Sequence, residues 1–138
     1  MKNIILLLSI LLLASCSFAI NPPAAVQKAF TQKFAGAADV KWGKENGNEY
    51  EAEFVMSGIK MSANFDAKGN WLETETEMAA GKLPAKVTAF IAKTYPGWKI
   101  TEAGTLETPK KGLVYEADLK SGKQKKEITL TADGEPVR

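Results

Sequence analysis

YEAEF, Tyr50 to Phe54, returns 65 positions later as YEADL, Tyr115 to Leu119. Alternating apolar and acidic residues mark a half-buried antiparallel strand, and one such recurrence carries little weight alone. Its surroundings decide the matter. Pro23, Val26, Phe30 and Phe34 match Pro84, Val87, Ile91 and Tyr95 at an offset of 61, and FDAKGNWL (65–72) matches LTADGEPV (130–137) at 65. The extra four residues fit in the turn ETPKKG (107–112). Helix, strand and turn therefore agree in order, which predicts two copies of one helix-plus-four-strand unit. The first is placed at 22–80 and the second at 82–138, the two forming one domain.

In the first unit Asn21 is set to cap a helix over NPPAAVQKAFTQKF, with Val26, Phe30 and Phe34 on one face. Strands are expected at 40–44, 49–56, 59–65 and 71–78, with turns at ENGN, Ser57-Gly58 and DAKGN. In the second unit the helix LPAKVTAFIAKTY leads to strands at 98–106, 113–120, 123–131 and 135–138. The fold class is α+β: one curved antiparallel sheet with both helices on one face. Parity puts Tyr50, Ala52, Phe54 and Met56 on the helix side, with Met61, Ala63 and Phe65, then Tyr115, Ala117, Leu119, Ile128 and Leu130. Phe54 is expected to pack on Phe30 and Phe34. The opposite, open face receives Glu49, Glu51, Glu53, Trp71, Glu73, Glu75 and Glu77, then Glu116, Asp118 and Lys120.

Residues 1–19 read as an export signal, with Lys2, an apolar run from Ile4 to Leu13, and small residues after it. LASC (13–16) resembles a lipobox, which would make Cys16 the first mature residue and its lipid-attachment site. SFA (17–19) alternatively suits ordinary cleavage before Ile20. Cys16 is the chain's one cysteine, so no disulfide is available and packing must hold the fold. The expected location is periplasmic or lipid-anchored in the cell envelope, with membrane contact only through Cys16. Eighteen Lys and Arg against 16 Asp and Glu give no general pull toward nucleic acid.

The chain has no histidine, which removes histidine-based nucleophile activation and histidine metal sites. DAKG and TADG lack the alternating ligands of a calcium loop and read as hairpin turns. No cofactor is expected. Glu73, Glu75 and Glu77 repeat about 7 Å apart along a strand, a spacing open to a carboxylate-dependent hydrolase, but an open sheet face offers neither a cleft nor a raised pKa. The candidate partner-binding surface is Glu51, Glu53, Trp71, Glu73 and Glu75: an aromatic anchor within a charged rim. The plainer reading of the same residues is a solvated acidic face.

The helix, the VKW strand (40–42), YEAEF, FDAKGNWLETE (65–75) and the restart at LP (83–84) together resemble the PepSY-like, β-lactamase-inhibitor-like family of small exported proteins from Bacteroides-type bacteria. The resemblance spans the chain from about Pro22 to its end. It implies paired units in one curved sheet, no enzymatic activity, and an inhibitor-like grip on another protein by the open face. Pro136 stands where the first copy has Trp71, so an aromatic grip would be lopsided. A structural or regulatory envelope protein is the alternative function, with a hydrolase behind it.

Overall fold

The computed structural model describes residues 20–137, so the export signal and Cys16 lie outside the described residues. Helix α1 (Ala24–Lys33) precedes strands β1 (Ala38–Glu45), β2 (Glu49–Met56), β3 (Ile59–Asp66) and β4 (Trp71–Glu77). A 3-10 turn (Ala80–Lys82) leads to helix α2 (Ala85–Thr94), then β5 (Lys99–Thr108), β6 (Gly112–Ser121) and β7 (Gln124–Leu130). All seven strands form one antiparallel sheet in chain order, joined across the middle by β4 and β5.

The strand expected at 135–138 is reduced to a single bridge between Leu130 and Pro136. Proline has no N–H to give a ladder, and two backbone bonds hold the contact, from the Val137 N–H to the Thr129 carbonyl and from the Thr131 N–H to the Glu135 carbonyl, both at 2.9 Å. The helix cap also differs from expectation. Pro23 occupies the N-cap of α1 without a side-chain cap bond, as Pro84 does for α2. Asn21 lies upstream, and its Oδ1 accepts a bond from Gln27 Nε2 at 3.0 Å. Proline at the entry is cheap, because the first turn's N–H groups have no helical partners.

Each helix closes its own apolar core on the same side of the sheet. Val26, Phe30 and Phe34 pack with Ala52, Phe54, Ala63 and Phe65. Leu83, Val87 and Ile91 pack with Ala103, Ala117, Leu119, Ile128 and Leu130. The pairings Met61–Thr76, Thr76–Thr105, Thr105–Tyr115 and Tyr115–Leu130 carry one face continuously from the first core to the second.

Local geometry recurs at the offsets read from the sequence. The Phe34 and Tyr95 N–H groups donate to Phe30 and Ile91 carbonyls, both at 2.8 Å. Gly69 and Gly134 both have positive φ, +86° and +78°, in the turns after β3 and β7. A Cβ on Gly69 would lie 2.6 Å from the Ala25 carbonyl oxygen, and one on Gly134 would lie 2.5 Å from that of Lys86. Each turn thus presses backbone to backbone on the first turn of its helix, which only glycine permits. Gly69→Ala is expected to lower the unfolding free energy by about 2 kcal/mol from the φ strain alone, with the clash adding to it. A urea midpoint equal to wild type would refute this contact.

Candidate functional site

The middle of the face opposite the helices holds three rows of cross-strand neighbours. Gly43, Glu51, Asn64 and Glu73 form one row. Lys41, Glu53, Ser62, Glu75, Leu106 and Val114 form the second. Glu77, Gly104, Glu116 and Thr129 form the third. Neighbouring strands lie about 4.8 Å apart, and in each row one uncharged residue, Asn64, Ser62 or Gly104, separates two glutamates. Gly104 brings β5 hard against β4: a Cβ there would sit 2.8 Å from the Thr76 carbonyl oxygen.

Although the helices pack on the other side, Asn64 is 5% exposed, Glu116 4%, Leu106 8% and Val114 3%. Only side chains of the same face can provide that cover, so the sheet is hollowed on this side. Glu51, Glu73 and Glu75 are half-buried and Glu53 is exposed. The expectation of freely solvated carboxylates is thereby corrected for three of these four.

Of the five predicted partner residues, the four glutamates share the open face and Trp71 does not. Phe65 pairs with Trp71 while Asn64 pairs with Glu73, leaving Leu72 as an extra residue in a β-bulge. The bulge reverses parity. Trp71 joins the α1 core, with Lys33 Nζ 3.8 Å above its ring. Its Nε1–H donates to the Glu73 carbonyl at 2.8 Å and Thr74 Oγ1 at 2.9 Å.

Sequence reasoning omitted Asn64 and Glu45 from the site, and it put Glu116 on this face without counting it in the site. Asn64 shares the parity of Ser62, so alternation along β3 was a sufficient signal. Glu45 was placed in the turn, but it ends β1 and reaches across to Asn64. The Asn64 amide Nδ2 donates to Glu45 Oε2 at 2.8 Å and to Glu73 Oε1 at 3.0 Å. Its Oδ1 is buried without a hydrogen-bond partner.

The electrostatics follow from burial among like charges. Burial, then the neighbouring Glu45, Glu53 and Glu73, pushes the Glu51 carboxyl up to about 7. Burial, then Glu116, Glu73, Glu51 and Glu45, does the same for Glu75, again to about 7. Glu116 rises to about 7 through burial and Glu127, against a weak bond from Thr129. Glu73 is raised by burial, Glu45 and Glu49, with the Asn64 bond opposing. Among the described residues the one ion pair joins Lys86 and Asp133, both largely exposed and remote from this face. Among the described residues, the carboxylates of the hollow thus form no ion pair with a lysine or arginine.

The family model described as "Putative beta-lactamase-inhibitor-like, PepSY-like" matches residues 48–135. A BLIP-like protein of Bacteroides fragilis is similar in structure, with TM-score 0.78 and 26% identity over 86% of this chain and 85% of that one. A DUF2874-family protein of Bacteroides ovatus gives TM-score 0.79 at 23% identity, over 86% of each chain. One of the "putative periplasmic proteins" of Bacteroides eggerthii gives 0.78 at 22%, over 86% of this chain and 88% of that one. No curated protein matches the sequence.

Proposed function

Because the chain belongs to the PepSY-like, β-lactamase-inhibitor-like family, we propose that it is an exported, non-enzymatic module that binds another protein of the cell envelope through its hollow acidic face. The observation that carries this reading is the set of half-buried glutamates with no neutralising cation beside them. Burying like charges together opposes folding unless something else gains from the arrangement. A partner surface of opposite charge gains from it directly. The family is of an inhibitor-like, non-catalytic type, which favours binding over the hydrolase alternative. The recurring helix ends and glycine contacts support reading 22–80 and 82–138 as two copies of one unit. A similar chain described as periplasmic supports export, with Cys16 as lipid-attachment site if cleavage falls at LASC.

Trp71 leaves the proposed surface, which is recentred on Glu51, Glu53, Glu73 and Glu75 with Glu45, Asn64 and Glu116. The test is capture from envelope extract by wild type and by a Glu53→Lys, Glu75→Lys variant. A partner retained by wild type and lost about tenfold or more by the folded variant is the expected result. Equal retention by both would remove the face from the binding reading. A captured enzyme whose activity drops marks an inhibitor, and one whose activity is unchanged marks the structural or regulatory alternative.

A further inference from the structure

We propose that the hollow between Glu45, Glu51, Asn64 and Glu73 takes an arginine side chain presented by the partner protein. The proposal rests on the binding reading above and specifies the chemistry of what is bound. Its starting point is Asn64, whose Nδ2 is fully engaged by Glu45 and Glu73 while its Oδ1, equally buried, accepts nothing. The amide orientation is fixed by those neighbours, because turning it would aim an oxygen at two carboxylates. A buried acceptor left without a donor costs about 1–3 kcal/mol. The atom is therefore an unmet demand for a donor.

Once Glu51 is ionised, above about pH 7, the carboxylates around it make the same demand. Glu51 faces Asn64 across β2, Glu73 faces it across β4, and Glu45 folds over from the end of β1. An ionised carboxylate, like an amide oxygen, only accepts. A phosphate or other anion entering here would meet crowded carboxyls and a single amide donor, Asn64 Nδ2, already shared between Glu45 and Glu73, which disfavours anionic ligands. The chain supplies no cation of its own, since no Lys or Arg pairs with these groups among the described residues.

Two kinds of cation remain. Among the described residues no three carboxylate side chains converge closely enough to hold a metal ion. The acceptors instead lie spread over adjacent strands about 4.8 Å apart. A guanidinium suits that spread, because its donors fork outward in a plane and can serve two carboxylates and a carbonyl together. An ammonium concentrates its donors at one point and reaches fewer of them. Glu45 is the movable element: it comes from the strand's last residue and is only half-buried, so it can swing aside to admit the head group.

The probe is the blocked peptide acetyl-Gly-Arg-Gly-amide, titrated into the isotope-labelled protein near neutral pH at physiological salt and followed by NMR. The same peptide with citrulline for arginine keeps the shape without the charge; lysine peptide and calcium chloride are run alongside. The expected result is a saturable shift of the Asn64 side-chain amide signals with the arginine peptide, weaker with lysine and absent with citrulline. Asn64→Leu should weaken arginine binding about tenfold. Glu51→Gln, which leaves Asn64 in place, should weaken it severalfold and guards against misfolding of the first variant. Equal shifts with arginine and citrulline, or calcium moving these signals while arginine does not, would overturn the proposal. Should a partner be captured through the face while the arginine peptide fails to bind, the binding reading stands and this inference alone falls.

Discussion

Phe54→Ala is expected to lower the unfolding free energy by about 3–5 kcal/mol. Phe54 is 3% exposed and its ring centroid lies 5.1 Å from that of Phe30 and 4.8 Å from that of Phe34. Phe30 in turn contacts Trp42 at 5.2 Å and Phe65 at 6.3 Å, so the removed ring is one member of an aromatic cluster. Paired rings contribute beyond the area they bury, and alanine leaves a void that close-packed neighbours fill only in part. The measurement is a urea or guanidinium midpoint at unchanged slope. An unchanged midpoint would mean that Phe54 does not belong to the core under α1. Destabilisation of this size would consume a large share of the 5–15 kcal/mol typical of a domain.

A second large effect is expected from pH, and its sign is opposite to that of an ordinary salt-bridged protein. Glu51, Glu75 and Glu116 titrate in the folded chain at about 7 against the ordinary value of 4.5. Between those values the folded state holds protons that the unfolded state has lost, so stability falls as pH rises through this window and levels off above it. A fully buried carboxyl so displaced corresponds to about 3 kcal/mol; solvent screening of these partly exposed groups and their coupling bring the joint loss of the three to about that size. Asp66 and Asp133 are both held below the ordinary aspartate value, so they oppose this trend only at more acid pH. Urea midpoints should therefore be higher at pH 5 than at pH 8. The variant carrying Gln at 51, 75 and 116 should show a much flatter profile. Stability that climbs from pH 5 to pH 8 would show that these carboxyls are neither buried nor crowded as described.

Much of this was legible in the sequence because strand parity is a two-residue period. It holds wherever the ladder is regular, as along β2 and β3, where Phe54, Ala63 and Phe65 fall on the helix side as predicted. It fails at Trp71 because Leu72 is an inserted residue, and nothing in the composition of WLETE announces a bulge. Asn64 follows the parity rule but was overlooked among glutamates that advertise themselves by charge. The burial of Glu116, Leu106 and Val114 was not legible at all, since it depends on how strands distant in sequence curve toward one another.

The shortened end of the second unit determines how far the sheet can extend. In the first unit Trp71 opens a full strand, and the sheet continues through it into the next unit. Pro136 stands at the equivalent place and leaves, among the described residues, one bridge with its two backbone hydrogen bonds beyond β7. A further strand would find almost no ladder on that segment, and the free edge of β7 beside it carries the exposed Lys125 and Lys126. At the opposite margin, β1 is interrupted by a register shift between Ala38 and Lys41, where Asp39 has φ +55°. Interrupted edges of this kind resist edge-to-edge addition. Both margins of the sheet are thus poor templates for fibrous self-association.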